Sequence, residues 1–190
     1  IQMKHTKKRE KINNQGLTLI ELIVTIAIIG IFGVVVMSFV TSGVNFYRQA
    51  SDTSTVQRSM QMTLDQIENL VIDTNKSISY SVGGQATQSD LGSQDRQEKI
   101  LILESVQGEN TQHKEILKWN PDEKKLYCNY NSDRATDMKV MAENISAFSA
   151  DISQAVSDGI VRFQITIQKR DKEMTQTYTV TLRNQLGADS

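Results

Sequence analysis

The chain has 190 residues, with 22 acids, 21 strong bases and one cysteine, for a formal net charge of −1. A lone Cys128 leaves no intramolecular disulfide, so any exported domain has to fold on its apolar core. The near-neutral balance argues against a nucleic-acid partner held by a general basic surface.

The N-terminal stretch is basic: Lys4, Lys7, Lys8, Arg9 and Lys11 stand against Glu10, a formal charge of +4. A 24-residue apolar run follows at 17–40, LTLIELIVTIAIIGIFGVVVMSFV, broken by Thr18, Glu21, Thr25 and Ser38. About 20 residues at ~1.5 Å each cross a hydrocarbon core. A cleavable secretory signal has a shorter apolar segment of about 7 to 15 residues and a small-residue cut site, so this segment is expected to stay in the mature protein. The positive-inside tendency places the leader in the cytoplasm and the rest of the chain outside. One carboxylate, Glu21, sits within the run, where a buried acid costs roughly 2.5 to 3.5 kcal/mol at mid-membrane and less near an interface. It needs a partner.

The residues KINNQG followed by LTLIEL resemble the leader and cleavage motif of type IV prepilins and pseudopilins. The resemblance covers roughly residues 7–40. It implies that a prepilin peptidase cuts after Gly16, that Leu17 becomes the methylated N-terminus, and that Glu21 faces the N-terminal amine of a neighbouring subunit. An ion pair of that kind satisfies both charges, whereas removing one partner leaves the other with its full desolvation penalty. Leu17 stands where phenylalanine is commonest, a conservative apolar change. The run has no proline, which fits minor pilins better than major ones, and Gly30 and Gly33 are its only helix-weakening residues.

Cleavage after Gly16 would leave 174 residues carrying 21 acids and 16 strong bases, a net charge of −5. About 150 of them lie beyond the apolar run, enough for one modest head. Val56, Met60, Leu64, Ile67 and Val71 recur at helical spacing and predict one buried stripe. Arg58, Gln61, Asp65, Glu68 and Asn69 fall on the opposite side, towards solvent. The polar composition of 42–55, with Gly43, predicts a weak or broken stretch, and helix is otherwise expected to about Asn75. Met60 and Met62 read as core.

Further along, the period changes to two. Residues 99–105 (KILILES) read as a buried strand, and 115–119 pairs with 125–130 across Asn120-Pro121-Asp122-Glu123, a turn signature in which proline presets a dihedral. Residues 142–152 read either as a short helix entering a strand or as strand throughout. Asp158-Gly159 marks a tight turn into 160–169, where Val161, Phe163, Ile165 and Ile167 alternate with Arg162, Gln164, Thr166 and Gln168. Residues 175–182 form the antiparallel partner, with 169–173 as a charged turn. The expected fold is α+β and pilin-like, a long N-terminal helix packed against a C-terminal antiparallel β-sheet. Its parts are a leader at 1–16, a transmembrane and filament-core helix at 17–40, an amphipathic stem at 41–78, a loop at 79–98 and a sheet head at 99–190. The helix, loop and meandering strands resemble the minor pilins that include the W-type pilus component and the J-type secretion pseudopilin.

Catalytic chemistry has no candidate constellation. His5 lies in the leader and His113 in a polar loop, so no histidine cluster forms, and no thiol pair, nucleophile elbow or phosphate-cradling glycine loop is present. Residues 129–137 (NYNSDRATD) carry oxygen ligands without the spacing of a twelve-residue calcium loop and read as turn chemistry. Gly83-Gly84 reads as a flexible linker, Cys128 as a half-buried strand cysteine, and Tyr127 and Tyr130 as either an adhesive face or core. No cofactor and no metal are expected.

The resemblance implies a structural subunit of a type IV pilus or of a type II secretion or competence pseudopilus. It would be a single-pass membrane protein first and a filament component afterwards. Its partners are the prepilin peptidase, other pilin or pseudopilin subunits, the inner assembly platform and, before assembly, membrane lipid. The alternative is a solitary membrane-anchored binding or adhesion domain, which needs neither cleavage nor Glu21.

Overall fold

A computed structural model describes residues 18–93, 95–107, 111–129 and 138–187. The leader with Gly16, Leu17, and most of the 129–137 segment with Tyr130 lie outside the described residues. The chain divides into two compact units, Ile1–Arg48 and Gln49–Ser190. In the first, the described residues belong to the helix α1 (Leu19–Val71) from its start, and every side chain from Thr18 to Arg48 is exposed. Leu19 is 78% exposed and Phe39 76%, so nothing within the unit covers this apolar surface. Among the described residues this is the one helix long and apolar enough to cross a membrane. The stretch from Leu19 to Val40 rises roughly 33 Å, against about 30 Å for a hydrocarbon core. Its hydroxyls turn inward on the helix: Thr25 Oγ1 donates to Leu22 O at 2.9 Å and Thr41 Oγ1 to Met37 O at 2.8 Å. Pairing these two threonine hydroxyls lowers their cost in lipid.

The expected break at 42–55 does not occur. The same back-bonding absorbs the polar side chains, with Thr53 on Gln49 O at 2.9 Å and Thr55 on Ser51 O at 2.8 Å. From Gln49 onward the helix is part of the second unit, and Val56, Met60, Leu64, Ile67 and Val71 are all buried, as their spacing predicts. Met62 is instead 52% exposed, so it is not core. Glu68, expected in solvent, is half-buried, accepting the Tyr178 hydroxyl at 2.5 Å. That carboxylate raises the Tyr178 pKa, because ionising the phenol would break the bond.

The helix stops at Val71, earlier than the sequence pattern suggests, because Asn75 is taken by the sheet. Its side chain accepts from Val106 N at 2.8 Å and donates to Val106 O at 2.9 Å, imitating a strand partner. The region read as a loop at 79–98 starts as strand: β1 (Ser77–Val82) is followed by β2 (Gln85–Thr87). The alternation SISYSV was a strand signal, obscured by its serines and by the burial of only Tyr80. Gly83 and Gly84 form the tight turn between β1 and β2, at φ 57° and 82°, and are no linker.

Seven more strands follow: β3 (Lys99–Gln107), β4 (Thr111–Asn120), β5 (Lys125–Asn129), β6 (Lys139–Glu143), β7 (Ile145–Asp151), β8 (Ile160–Lys169) and β9 (Lys172–Thr181). The described residues form two antiparallel sheets instead of one, ordered β2-β1-β3-β4-β5-β6 and β7-β8-β9. The chain changes sheet at Asn144, whose φ of 63° suits an asparagine in the left-handed region. The ambiguous 142–152 segment is therefore strand on both sides of that residue. Asn120 Oδ1 accepts from the amides of Asp122 at 3.0 Å and Glu123 at 3.3 Å, fixing the predicted turn between β4 and β5. The β8–β9 turn is tighter than expected, since Lys169 already pairs with Lys172. Cys128 is fully buried, because its side chain falls on the core face of β5 with Leu126.

Two polar arrangements tie these layers together. Asp52 is nine-tenths buried and meets Arg170 Nη1 at 2.9 Å and Lys169 Nζ at 3.6 Å, joining the helix to the β8–β9 turn. Lys99, in the strand read as apolar, is fully buried with its ammonium on Asp90 and 5.5 Å from the Trp119 ring centre. Asp90 also accepts the Tyr80 hydroxyl at 2.7 Å and the Ala150 amide at 3.0 Å, so it links both sheets. Burial first, and this bond second, push the Tyr80 pKa well up.

Asp90→Ala should lower unfolding free energy by about 3 to 5 kcal/mol, because it leaves the Lys99 charge buried and alone. Adding Lys99→Met should recover most of that loss in denaturant titrations of the detergent-solubilised chain. Met60→Ala, which opens a cavity beneath the helix, should cost about 2 to 5 kcal/mol in the same assay.

Candidate assembly site at the helix N-terminus

The first turn of α1 is organised by two polar residues in an apolar sequence. Thr18 precedes the helix and its carbonyl accepts the first helical bond from Leu22 N at 3.2 Å. Its Oγ1 accepts from Glu21 N at 3.4 Å, while Thr18 N and Oγ1 both donate to Glu21 Oε2, at 3.2 and 3.1 Å. This is a capping box, Thr-x-x-Glu, in which each side chain serves a backbone donor that the helix cannot satisfy itself. The carboxylate also lies in the first turn, where the helix dipole favours negative charge. The sequence signal is T-L-I-E, a capping spacing set within an apolar run.

Both Thr18 contacts fall on Oε2. Among the described residues Oε1 has no hydrogen-bond partner, and Glu21 is exposed. A carboxylate has about four acceptor positions, so this one can serve its own helix and receive another cation. The structure thus brings Glu21 to Thr18, while Gly16 and Leu17 lie outside the described residues.

Other candidate groups make a different picture. The Tyr127 hydroxyl donates to Glu123, which raises its pKa and occupies it in the turn. Asn129 is buried, and the rest of the 129–137 segment is not described. Among the described residues no group of three or more histidine, cysteine or carboxylate side chains could hold a metal. A cleft of about 580 Å³ is lined by Ser93, Asp95, Arg96, Gln164, Thr166 and Glu173 with others, offering hydroxyl, amide and charged groups of both signs but no histidine or thiol.

Residues 11–37 match the family model of the prokaryotic N-terminal methylation motif. Neither the curated proteins nor the solved structures yield a match to the chain. The matched motif supports a type IV prepilin-like protein, and the long apolar helix followed by antiparallel sheets is an α+β, pilin-like architecture. The motif in general implies processing by prepilin peptidase, membrane anchoring and assembly among pilin subunits, and it points to a structural protein.

Thr18→Val should fray the first turn, costing about 1 kcal/mol of local helix stability. Amide exchange at residues 19–22 of the full chain in micelles would show it as faster exchange, with exchange at residues 28–34 unchanged.

Proposed function

We propose that this protein is a minor pilin or pseudopilin, a structural subunit of a type IV pilus or of a type II secretion or competence pseudopilus. It is stored as a single-pass membrane protein with a cytoplasmic leader and an exported head. Prepilin peptidase cuts after Gly16, Leu17 is methylated on its new amine, and the assembly platform moves the helix from lipid into a bundle of similar helices. In that bundle the Glu21 carboxylate meets the Leu17 amine of a neighbouring subunit.

The observation that carries this reading is the arrangement of Glu21 in a fully uncovered apolar helix. Leu19 to Val40 need an apolar partner, which lipid and other helices both supply. Glu21 needs compensation in either setting. Before assembly Thr18 supplies part of it through Oε2, and Oε1 remains for the cationic amine. A charge-assisted bond in a low-dielectric bundle fixes axial register, because a slip of one helical turn leaves both charges unpaired. The missing stem proline favours the minor-subunit form.

Gly16→Ala should leave uncleaved precursor, since the peptidase requires a very small residue before the cut. Intact-mass measurement of membrane extracts from cells with active peptidase reads this, and normal processing would count against the assignment. Glu21→Ala should be cleaved normally and yet enter filaments poorly. Wild-type incorporation in sheared filaments would remove the register role. An uncut wild-type chain in such cells would point to a solitary anchored domain.

A further inference from the structure

Among the described residues the strand β9 is an open sheet edge, ten residues long and without the devices that usually close one. Its hydrogen bonding can be placed residue by residue. Gln168 donates its amide to Asn144 O at 2.9 Å, on the side of β7, so the alternate residues of β8 that end in Lys169 face β9. Their partners on β9 are Lys172, Met174, Gln176, Tyr178 and Val180. Glu173, Thr175, Thr177, Thr179 and Thr181 therefore turn their amides and carbonyls away from the sheet. All five side chains are exposed, and among the described residues their backbone groups have no backbone partner. The next outward position, Arg183, does have one, donating its amide to Ile72 O at 2.9 Å.

Edges that are not meant to pair are kept short, bulged, charged or covered. The other edges follow that practice. β2 has three residues, β6 is bulged against β5 and carries Lys139 and Glu143 at its ends, and β7 is met by the segment around Gln88 and Asp90. β9 runs in unbroken register with β8, contains no proline, and bears charge only at Lys172 and Glu173. From Thr175 to Thr181 its outward residues are all threonine.

We propose that β9 receives an extended strand from the head of a different, non-identical pilin subunit. The inference rests on the assembly function proposed above. A second copy of this chain does not fit. The helix runs alongside β9 in the same direction, with Asp52 at Arg170, Glu68 at Tyr178 and Ile72 at Arg183. Two β9 strands paired antiparallel would set their helices in opposite directions, whereas subunits inserted in one membrane with one topology have parallel helices; paired parallel and in register, they would set Lys172 beside Lys172 and Glu173 beside Glu173. The remaining edges of a second copy are the short or bulged ones. The strand that fits is uncharged and rich in hydroxyl or β-branched side chains opposite the threonines, with a base opposite Glu173. Bundled helices hold the heads at high local concentration, so a few backbone bonds suffice.

The test uses the full-length chain in cells that assemble the filament, with a photo-crosslinking amino acid at position 179 and, separately, at position 28 in the apolar helix. The position-179 probe should form an adduct whose second chain, identified by mass spectrometry, is another protein with an N-terminal methylation motif. Thr177→Pro leaves the β8 ladder intact because the Thr177 amide points outward, and Thr177→Lys keeps every backbone group. Thr177→Pro should lower the adduct about tenfold, the scale of one lost hydrogen bond, and Thr177→Lys should lower it by placing a charge on the edge, both with protease resistance of the head unchanged. Absence of the position-179 adduct, an adduct of two copies of this chain, or an adduct indifferent to both variants would each overturn the proposal. The position-28 probe reports separately on helix bundling: its adducts with pilin subunits in the absence of the 179 adduct would leave the assembly function standing, and its failure would count against that function itself.

Discussion

The apolar side chains between Leu19 and Val40 have no partner within their own unit, and most features of the molecule answer to that deficit. An apolar surface of this length is stable only when lipid or other helices cover it. The hydroxyls of Thr25 and Thr41 are folded back on helix carbonyls, which makes either cover acceptable. Glu21 is the exception, and its capping contact with Thr18 softens the charge without extinguishing it. A helix with one half-compensated acid retains an acceptor for a cation under either cover.

Beyond Arg48 the same helix solves a different burial problem. Its stripe from Val56 to Val71 closes a core shared with β8 and the larger sheet, and polar contacts give the assembly its register. Asp52 sets the helix against the β8–β9 turn, Asn75 hands the chain from helix to sheet, and Asp90 with Lys99 binds the two sheets. Buried ion pairs of this kind add little net stability compared with apolar replacements. Their effect here is geometric, since each admits a single arrangement of the elements it joins.

The sequence made the strongest periodicities legible and left the polar determinants obscure. The stripe from Val56 to Val71 and the alternation from Val161 to Ile167 identified the core because burial imposes a period on apolar residues. Turns with a mechanism, such as Asn120 with Pro121, were readable as well. SISYSV is hard to read as a strand because serine carries no burial signal, and the second sheet is hidden because one asparagine, Asn144, redirects the chain. Met62 shows the limit of residue type, since a methionine two positions from the stripe lies outside the core. At the candidate site Glu21 stood out by being acidic among apolar residues. Thr18 did not, although its spacing to Glu21 was the capping signature. Lys99 at the head of an apolar strand gave no hint that its ammonium would be buried.

The parallel course of the helix and β9 has a mechanical consequence. In the filament proposed above, a load along the axis would reach the head as a pull along Gln49–Val71. The ties of the head to this segment lie side by side along the pull, from Asp52 with Arg170, through Glu68 with Tyr178, to Ile72 with Arg183. Such ties are strained together, in shear, instead of parting one after another as a zipper does. Force must then break several contacts and slide an interlocked core in one step, so a head built of individually weak interactions can remain on its stem under tension.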